Sequence, residues 1–249
     1  MRACKIFAAA VLCGLSLGPA TAQHGEAMPS EAAAAPQPFG IETFGAFRNL
    51  VMQGDFSPKL VLGHVIRTGA TIGVGALADA RGEITIIDTL PVVSYGKPGE
   101  HPPAAAEQAA LLTVSSATEW QRMTVDHDIA PAELEAFIAA TAGEHGIDTS
   151  TSFPFQVRGA LIGFEMHVNA GPTNGPHGIG QPMAIQVVQK GDEIAGEVAG
   201  LYVAPALVGI ATHPGERTHS HWLSSDRQST AHLDRWGIKA GATLLLPNR

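Results

Sequence analysis

The chain has 249 residues, with fifteen lysines and arginines against twenty-three aspartates and glutamates, a formal net charge of −8 and 45% hydrophobic residues. Such an acidic balance disfavours nucleic acid as a partner, while the length suffices for one large domain or two small ones with a substantial core. The two cysteines, Cys4 and Cys13, both fall near the N-terminus, so a disulfide framework is excluded for everything downstream.

Residues 1–22 carry the marks of an export signal. Arg2 and Lys5 precede an apolar run from Ile6 to Leu17, and Ala20-Thr21-Ala22 is a small-residue cleavage site, the run being too short to span a bilayer. Leu12 stands before Cys13, where a lipoprotein signal would need a small residue, so lipid anchoring is disfavoured. The expectation is a cysteine-free protein starting near Gln23, exported to the periplasm or beyond, with no membrane anchor. Residues 23–38, rich in alanine and proline, bury too little apolar area to fold and are expected to be a flexible leader.

Structure is expected from Phe39. Phe44, Phe47, Leu50 and Val51 have helical spacing with Gly54 as a stop, and Pro58 to Ile66 suggests a second short helix. Residues 69–96 change texture. Glycines at 69, 73 and 75, a turn at Ala80-Arg81-Gly82 and the runs through Ile84, Ile86, Ile87, Val92 and Val93 predict a meander of strands, the glycines serving close backbone packing. Leu111 to Ser115 and Trp120 to Val125 predict two more strands, and Pro131 to His145 a helix with Leu134, Phe137 and Ile138 on one face. Beyond it, Phe155 to Val168, Ala184 to Gln189 and Ile194 to Val203 contain β-type runs, with a glycine- and proline-rich loop over 169–182 between the first two. The fold class expected is α/β in the α+β sense: a mixed sheet with helices in an N-terminal domain, 39–150, and a mainly antiparallel, metal-binding domain, 151–249.

The densest chemistry lies in THSHWLSSDRQSTAHLDRW, residues 218–236. Side chains two apart on a strand share a face about 7 Å apart, so His219 and His221 can grip one ion, and the SSDRQST segment can turn the chain to bring His232 back on the neighbouring strand. Three imidazoles with a fourth position open are the pattern of a catalytic zinc, and another divalent transition metal would also be accommodated. The same spacing suits surface histidines, or core histidines satisfied by hydrogen bonds. His64, His101, His127, His145 and His213 are scattered singly and expected on loops or helix surfaces, and His177, in the glycine-proline loop, is expected to be solvated. A cupin would also offer His-X-His, but its second motif should follow several strands later, where this sequence ends.

HSHWLSSDRQSTAHLD, together with GVGALADARGEITIID, resembles the α-acetolactate decarboxylase family from about Phe44 to Asp234. The resemblance rests on His219, His221, Asp226, Arg227, His232 and Glu83 in that family's motif positions. It implies zinc held by His219, His221 and His232, Glu83 as the active-site carboxylate and proton donor, and conversion of 2-hydroxy-2-methyl-3-oxobutanoate to acetoin and CO₂. Without it, Glu83 would pass for an exposed carboxylate at the start of a strand. The departures are Ala76 for a threonine, Ala80-Arg81 for Leu-Asp before Gly82-Glu83, Thr230-Ala231 for Gly-Gly, and a C-terminal glutamate not found before Arg249. Where the family has an arginine, this chain has His167, either a buried, satisfied histidine or a replacement anion contact. Arg158 is a substitute only if the fold brings it round. The partners expected are a small 2-hydroxy-3-oxo acid and, at most, a second copy of the chain. Two other readings stay open: a periplasmic binding protein that keeps the metal without turnover, and a zinc hydrolase with Glu83 as base.

Overall fold

The computed structural model describes residues 38–173 and 183–248, all within one compact unit. The export signal, nearly all of the leader and His177 lie outside the described residues. The strands are β1 (Glu42–Phe44), β2 (Leu60–Val61), β3 (Ile72–Leu77), β4 (Gly82–Ile87), β5 (Leu90–Tyr95), β6 (Gln108–Ser115), β7 (Trp120–Thr124), β8 (Phe153–Pro172), β9 (Ala184–Tyr202), β10 (Thr218–Leu223), β11 (Thr230–Ile238) and β12 (Thr243–Pro247). Three α-helices accompany them: α1 (Phe47–Gln53), α2 (Leu62–Arg67) and α3 (Leu134–Glu144). The α+β expectation holds, with strands in the majority.

Two sheets carry the fold, and every pairing between named strands is antiparallel. The first runs β1-β6-β3-β4-β5, with β2 added to β6; the second runs β11-β10-β9-β8-β12-β7, and a further β11–β8 pairing closes β8 to β11 into a ring. The predicted meander is β3-β4-β5. Its middle hairpin turns on Asp88 and Thr89, both at positive φ (50° and 68°), as a two-residue turn matched to strand twist requires. Close packing accounts for Gly75: a Cβ there would come within 2.0 Å of the Leu111 carbonyl oxygen on β6.

Two predicted breaks differ from the structure. The strands expected over 184–189 and 194–203 are one strand, β9, because β8 pairs with it through the charged stretch, Glu165 opposite Lys190 and Phe164 opposite Gly191. Gly191 belongs to the ladder there, since a Cβ would meet the Phe164 ring at 2.8 Å. The second helix is shorter than its sequence signal, as Leu60 and Val61 pair with β6 first.

Each face of the second sheet has its own partner. On one side α3 buries Leu134, Ile138 and Ala142 against Phe155, Val157, Leu161 and Met166, each fully buried aliphatic or aromatic side chain contributing about 1.5–3 kcal/mol. On the other, Ala199, Leu201 and Leu223 pack with Ile72, Val74 and Ile87 of the first sheet. The helix α1 buries Phe47 and Leu50 in a separate cluster with Ala76, Ala110 and Leu111 of the first sheet. Its first amides, Phe47 and Arg48, donate to the carbonyls of Ile210 and Gly209 at 2.7 and 2.9 Å, replacing the side-chain cap that Ala46 cannot supply. Gly54, at φ 65°, ends it.

Candidate functional site

The strand register gathers the histidines. His221 on β10 lies directly opposite His232 on β11, and His232 lies opposite His167 on β8, so three imidazoles form one cross-strand row. His219 joins from the next same-face position of β10. The turn of residues 224–229 sets that register. Ser224 Oγ donates to Asp226 Oδ1 at 2.6 Å, the Gln228 amide donates to the same oxygen at 3.1 Å, and Arg227, at φ 54°, grips Glu197 with two bonds of 2.8 Å.

His219, His221 and His232 are all buried, and one ring nitrogen from each lies within 4.8 Å of the other two. Burial first, then neighbouring histidines, pushes all three imidazoles down, His219 to about 3 and the others well below the ordinary value. They are therefore neutral, the form that binds metal. His219 donates Nδ1–H to the Ala211 carbonyl at 2.8 Å, leaving Nε2 for an ion. His221 Nε2 and His232 Nδ1 are 3.3 Å apart, matching the edge of roughly 3.3–3.4 Å for a tetrahedral zinc site with Zn–N near 2.0–2.1 Å. The donor set fits a divalent transition metal.

Glu83 is buried beside this cluster, its Oε2 3.9 Å from His221 Nε2. Its Oε1 accepts from Asn169 twice, from the side-chain amide at 2.7 Å and the backbone amide at 3.2 Å. Burial pushes its pKa up to about 8, against the opposing pull of His167 and Asn169. With Oε1 committed as a double acceptor, the proton belongs on Oε2, the oxygen nearer the histidines. A consequence can be measured on metal-free protein. The unfolded chain releases this proton near the ordinary value of 4.5 and the folded chain near 8, so the contribution from Glu83 is fully present below about 4.5 and is lost as pH rises through 8. Denaturant melts at several pH values should show wild type losing a few kcal/mol across that window, and Glu83→Gln should flatten the profile. Parallel profiles would show that Glu83 ionises normally.

His167 is also buried, its Nδ1 donating to both Asp234 oxygens at 2.8 and 2.9 Å. Burial alone would push its pKa down, yet Asp234 and Glu83 hold it above the ordinary value. It is thus the buried, satisfied histidine of the first alternative, paired with Asp234, and it also lines the cavity. Arg158 is not brought round. Its guanidinium points to Glu197 at 3.3 Å, half-exposed in a network with Asp88 and Arg227, because that part of β8 is bracketed by β9 and β12, away from the histidine row.

Sequence reasoning missed His213. Expected on a loop or helix surface, it does lie on a loop, but it lines the cavity, its ring 3.9 Å from Phe47 and 5.6 Å from His232. Burial lowers its pKa to about 4. The signal available was its position six residues before His219, with no strand period linking them. The cavity these residues share has a volume of about 150 Å³ and is lined by the apolar Phe47, Leu50, Val51, Phe56 and Leu111 together with Glu83, His167, His213, His219 and His232. Among the described residues, no arginine or lysine lines it.

The alpha-acetolactate decarboxylase family model matches residues 45–244. The chain belongs to that family. The match spans the cavity wall, Glu83 and all three metal-competent histidines, and it makes a small-molecule substrate and a decarboxylase of this family's type the frame for the site. Among solved structures the fold is similar to alpha-acetolactate decarboxylase from Bacillus subtilis strain 168 (TM-score 0.65, 11% identity, 84% of this chain and 86% of that one). It is also similar to acetolactate decarboxylase from Bacillus subtilis subspecies spizizenii (0.65, 12%, 84% and 86%). A third likeness is a Staphylococcus aureus protein of unknown function similar to alpha-acetolactate decarboxylase (0.63, 12%, 84% and 85%). No curated protein matches.

Proposed function

We propose that the protein is a zinc-dependent decarboxylase that converts 2-acetolactate, or a closely related branched 2-hydroxy-3-oxo acid, to the hydroxyketone and CO₂. The observation that carries this reading is the meeting of three buried imidazoles with the buried Glu83 carboxyl beside an apolar cavity. His219, His221 and His232 would hold a zinc ion, which would supply a Lewis acid for the negative charge that departure of CO₂ leaves on the former ketone oxygen.

The chain's own residues supply the rest. Phe47, Leu50, Val51 and Phe56 exclude water from the substrate's alkyl groups and stop them from turning over. His167, kept charged by Asp234, offers Nε2 to the substrate carboxylate where the resembled motif carries a guanidinium. When the C–C bond to the carboxylate breaks and its electron pair forms the enediolate, Glu83 Oε2 delivers a proton to one face of the carbon, giving the hydroxyketone, and is reprotonated from solvent afterwards. Asn169 fixes the direction of delivery by holding Oε1.

The test is turnover. Zinc-loaded protein given racemic acetolactate should release acetoin, followed by colour formation. Metal-loaded protein that is inert on several 2-hydroxy-3-oxo acids would instead support a metal-keeping binding protein, a reading favoured by one observation, the cavity's lack of arginine and lysine. We also propose export of the mature chain, with N-terminal sequencing of cell-fractionated protein expected to begin near Gln23; a mature product still starting at Met1 in the cytoplasm would refute this.

A further inference from the structure

Thr85 on β4 and Thr230 on β11 are fully buried polar side chains with no place in the steps above. Thr230 Oγ1 donates to the Trp222 carbonyl at 2.9 Å. Thr85 Oγ1 is 2.6 Å from Thr230 Oγ1 and 3.1 Å from His221 Nδ1. A threonine hydroxyl has one proton to give, and a carbonyl has none. The chain of bonds therefore has only one consistent direction. Thr230 spends its proton on Trp222, so the 2.6 Å bond is donated by Thr85. Thr85 then has no proton left for the imidazole, and His221 Nδ1 must donate to it.

We infer that Thr85 and Thr230 are positioning residues, a hydroxyl relay that fixes His221 as the Nδ1-protonated tautomer and so directs the Nε2 lone pair at the metal position. The inference rests on the metal reading for its purpose and on the hydrogen-bond directions for its existence. The relay spans both sheets, from β4 to β11 and back to β10, so it also ties the first sheet to the ligand row. Thr230 stands where the resembled motif has glycine, which has no hydroxyl, so this part of the device belongs to the present chain. Partners of this kind to a ligating imidazole typically contribute 10- to 100-fold in metal affinity. The Ile84 carbonyl also bears on the His221 ring, so loss of the relay loosens the site without abolishing it.

Two measurements test the relay. In metal-free wild-type protein, long-range ¹H–¹⁵N correlation of the histidine side chains should show His221 with Nδ1 protonated; a dominant Nε2–H form would overturn the inference, whatever the protein does with zinc. In competition with a chromophoric chelator, Thr230→Val should bind zinc about 10- to 100-fold more weakly, and Thr230→Ser, which restores the hydroxyl, should recover wild-type affinity. Thr85→Val should act alike, and the double valine variant should be no worse than the weaker single one, because both cut one chain. Valine variants that hold zinc as tightly as wild type, or a serine variant that fails equally, would also overturn it. A wild-type protein that binds no zinc would remove the function proposed above while leaving the tautomer result to stand or fall alone.

Discussion

Replacing His221 by alanine is expected to strip the metal and lower acetoin production by about three orders of magnitude or more, the several kcal/mol that a Lewis-acid ion contributes to the transition state. Among the three proposed ligands, His221 links the cluster to the first sheet through Thr85. It is fully buried, faces His232 across the β10–β11 ladder, accompanies Glu83 at 3.9 Å and ends the threonine relay. Two nitrogens alone grip an ion weakly. The substitution also leaves Thr85 without its donor, a cost of about 1–3 kcal/mol for an unsatisfied buried group. That is small enough for the sheet to persist, so circular dichroism and elution volume should match wild type. The measurement is metal content beside turnover; full metal with full rate in His221→Ala would show that the imidazole is not a ligand.

Glu83→Gln is expected to separate the two halves of the site. Glutamine keeps the shape and can still accept from Asn169, so the variant should keep its metal and its fold. It has no acidic proton for the carbon, so turnover should fall by about 10²- to 10⁴-fold, the usual weight of general acid catalysis. Loss of metal together with rate would make Glu83 a ligand, and an unchanged rate would remove it from the mechanism. Between these outcomes the pH profile is informative. The rate should depend on the protonated form of a group whose pKa, about 8 without metal, would move lower with a cation held by the histidines, as opposite charge favours the carboxylate.

The contrast between these residues shows what a linear chain reveals. His219, His221 and His232 were legible because a strand period of two and a short turn are local rules, and the turn chemistry of Ser224, Asp226 and Arg227 sits between the ligands. The meander of β3 to β5 was legible for the same reason. Glu83 was visible only through the family resemblance, since nothing local distinguishes a buried carboxylate at the second residue of a strand from an exposed one; its burial is produced by β8 and β10, which lie far along the chain. His213 and the pairing of Thr85 with Thr230 were illegible because each depends on packing across the two sheets. Arg158 failed in the opposite sense. Its strand was anticipated, but its side chain is drawn outside the cavity by ion pairs with Glu197 and Asp88. The continuous β9 follows the same logic, as pairing with β8 overrides a charged, glycine-containing stretch that alone predicts a break.

On the function proposed above, three imidazoles hold one ion with a coordination position left open toward the apolar cavity. The most direct test is metal-edge X-ray absorption on protein purified with stoichiometric zinc, read beside the metal-to-protein ratio. The expected result is one ion per chain with three nitrogen neighbours at about 2.0–2.1 Å and the remaining position held by an exchangeable small oxygen donor. Protein that retains no ion, or an ion closed off by a fourth protein side chain, would contradict it.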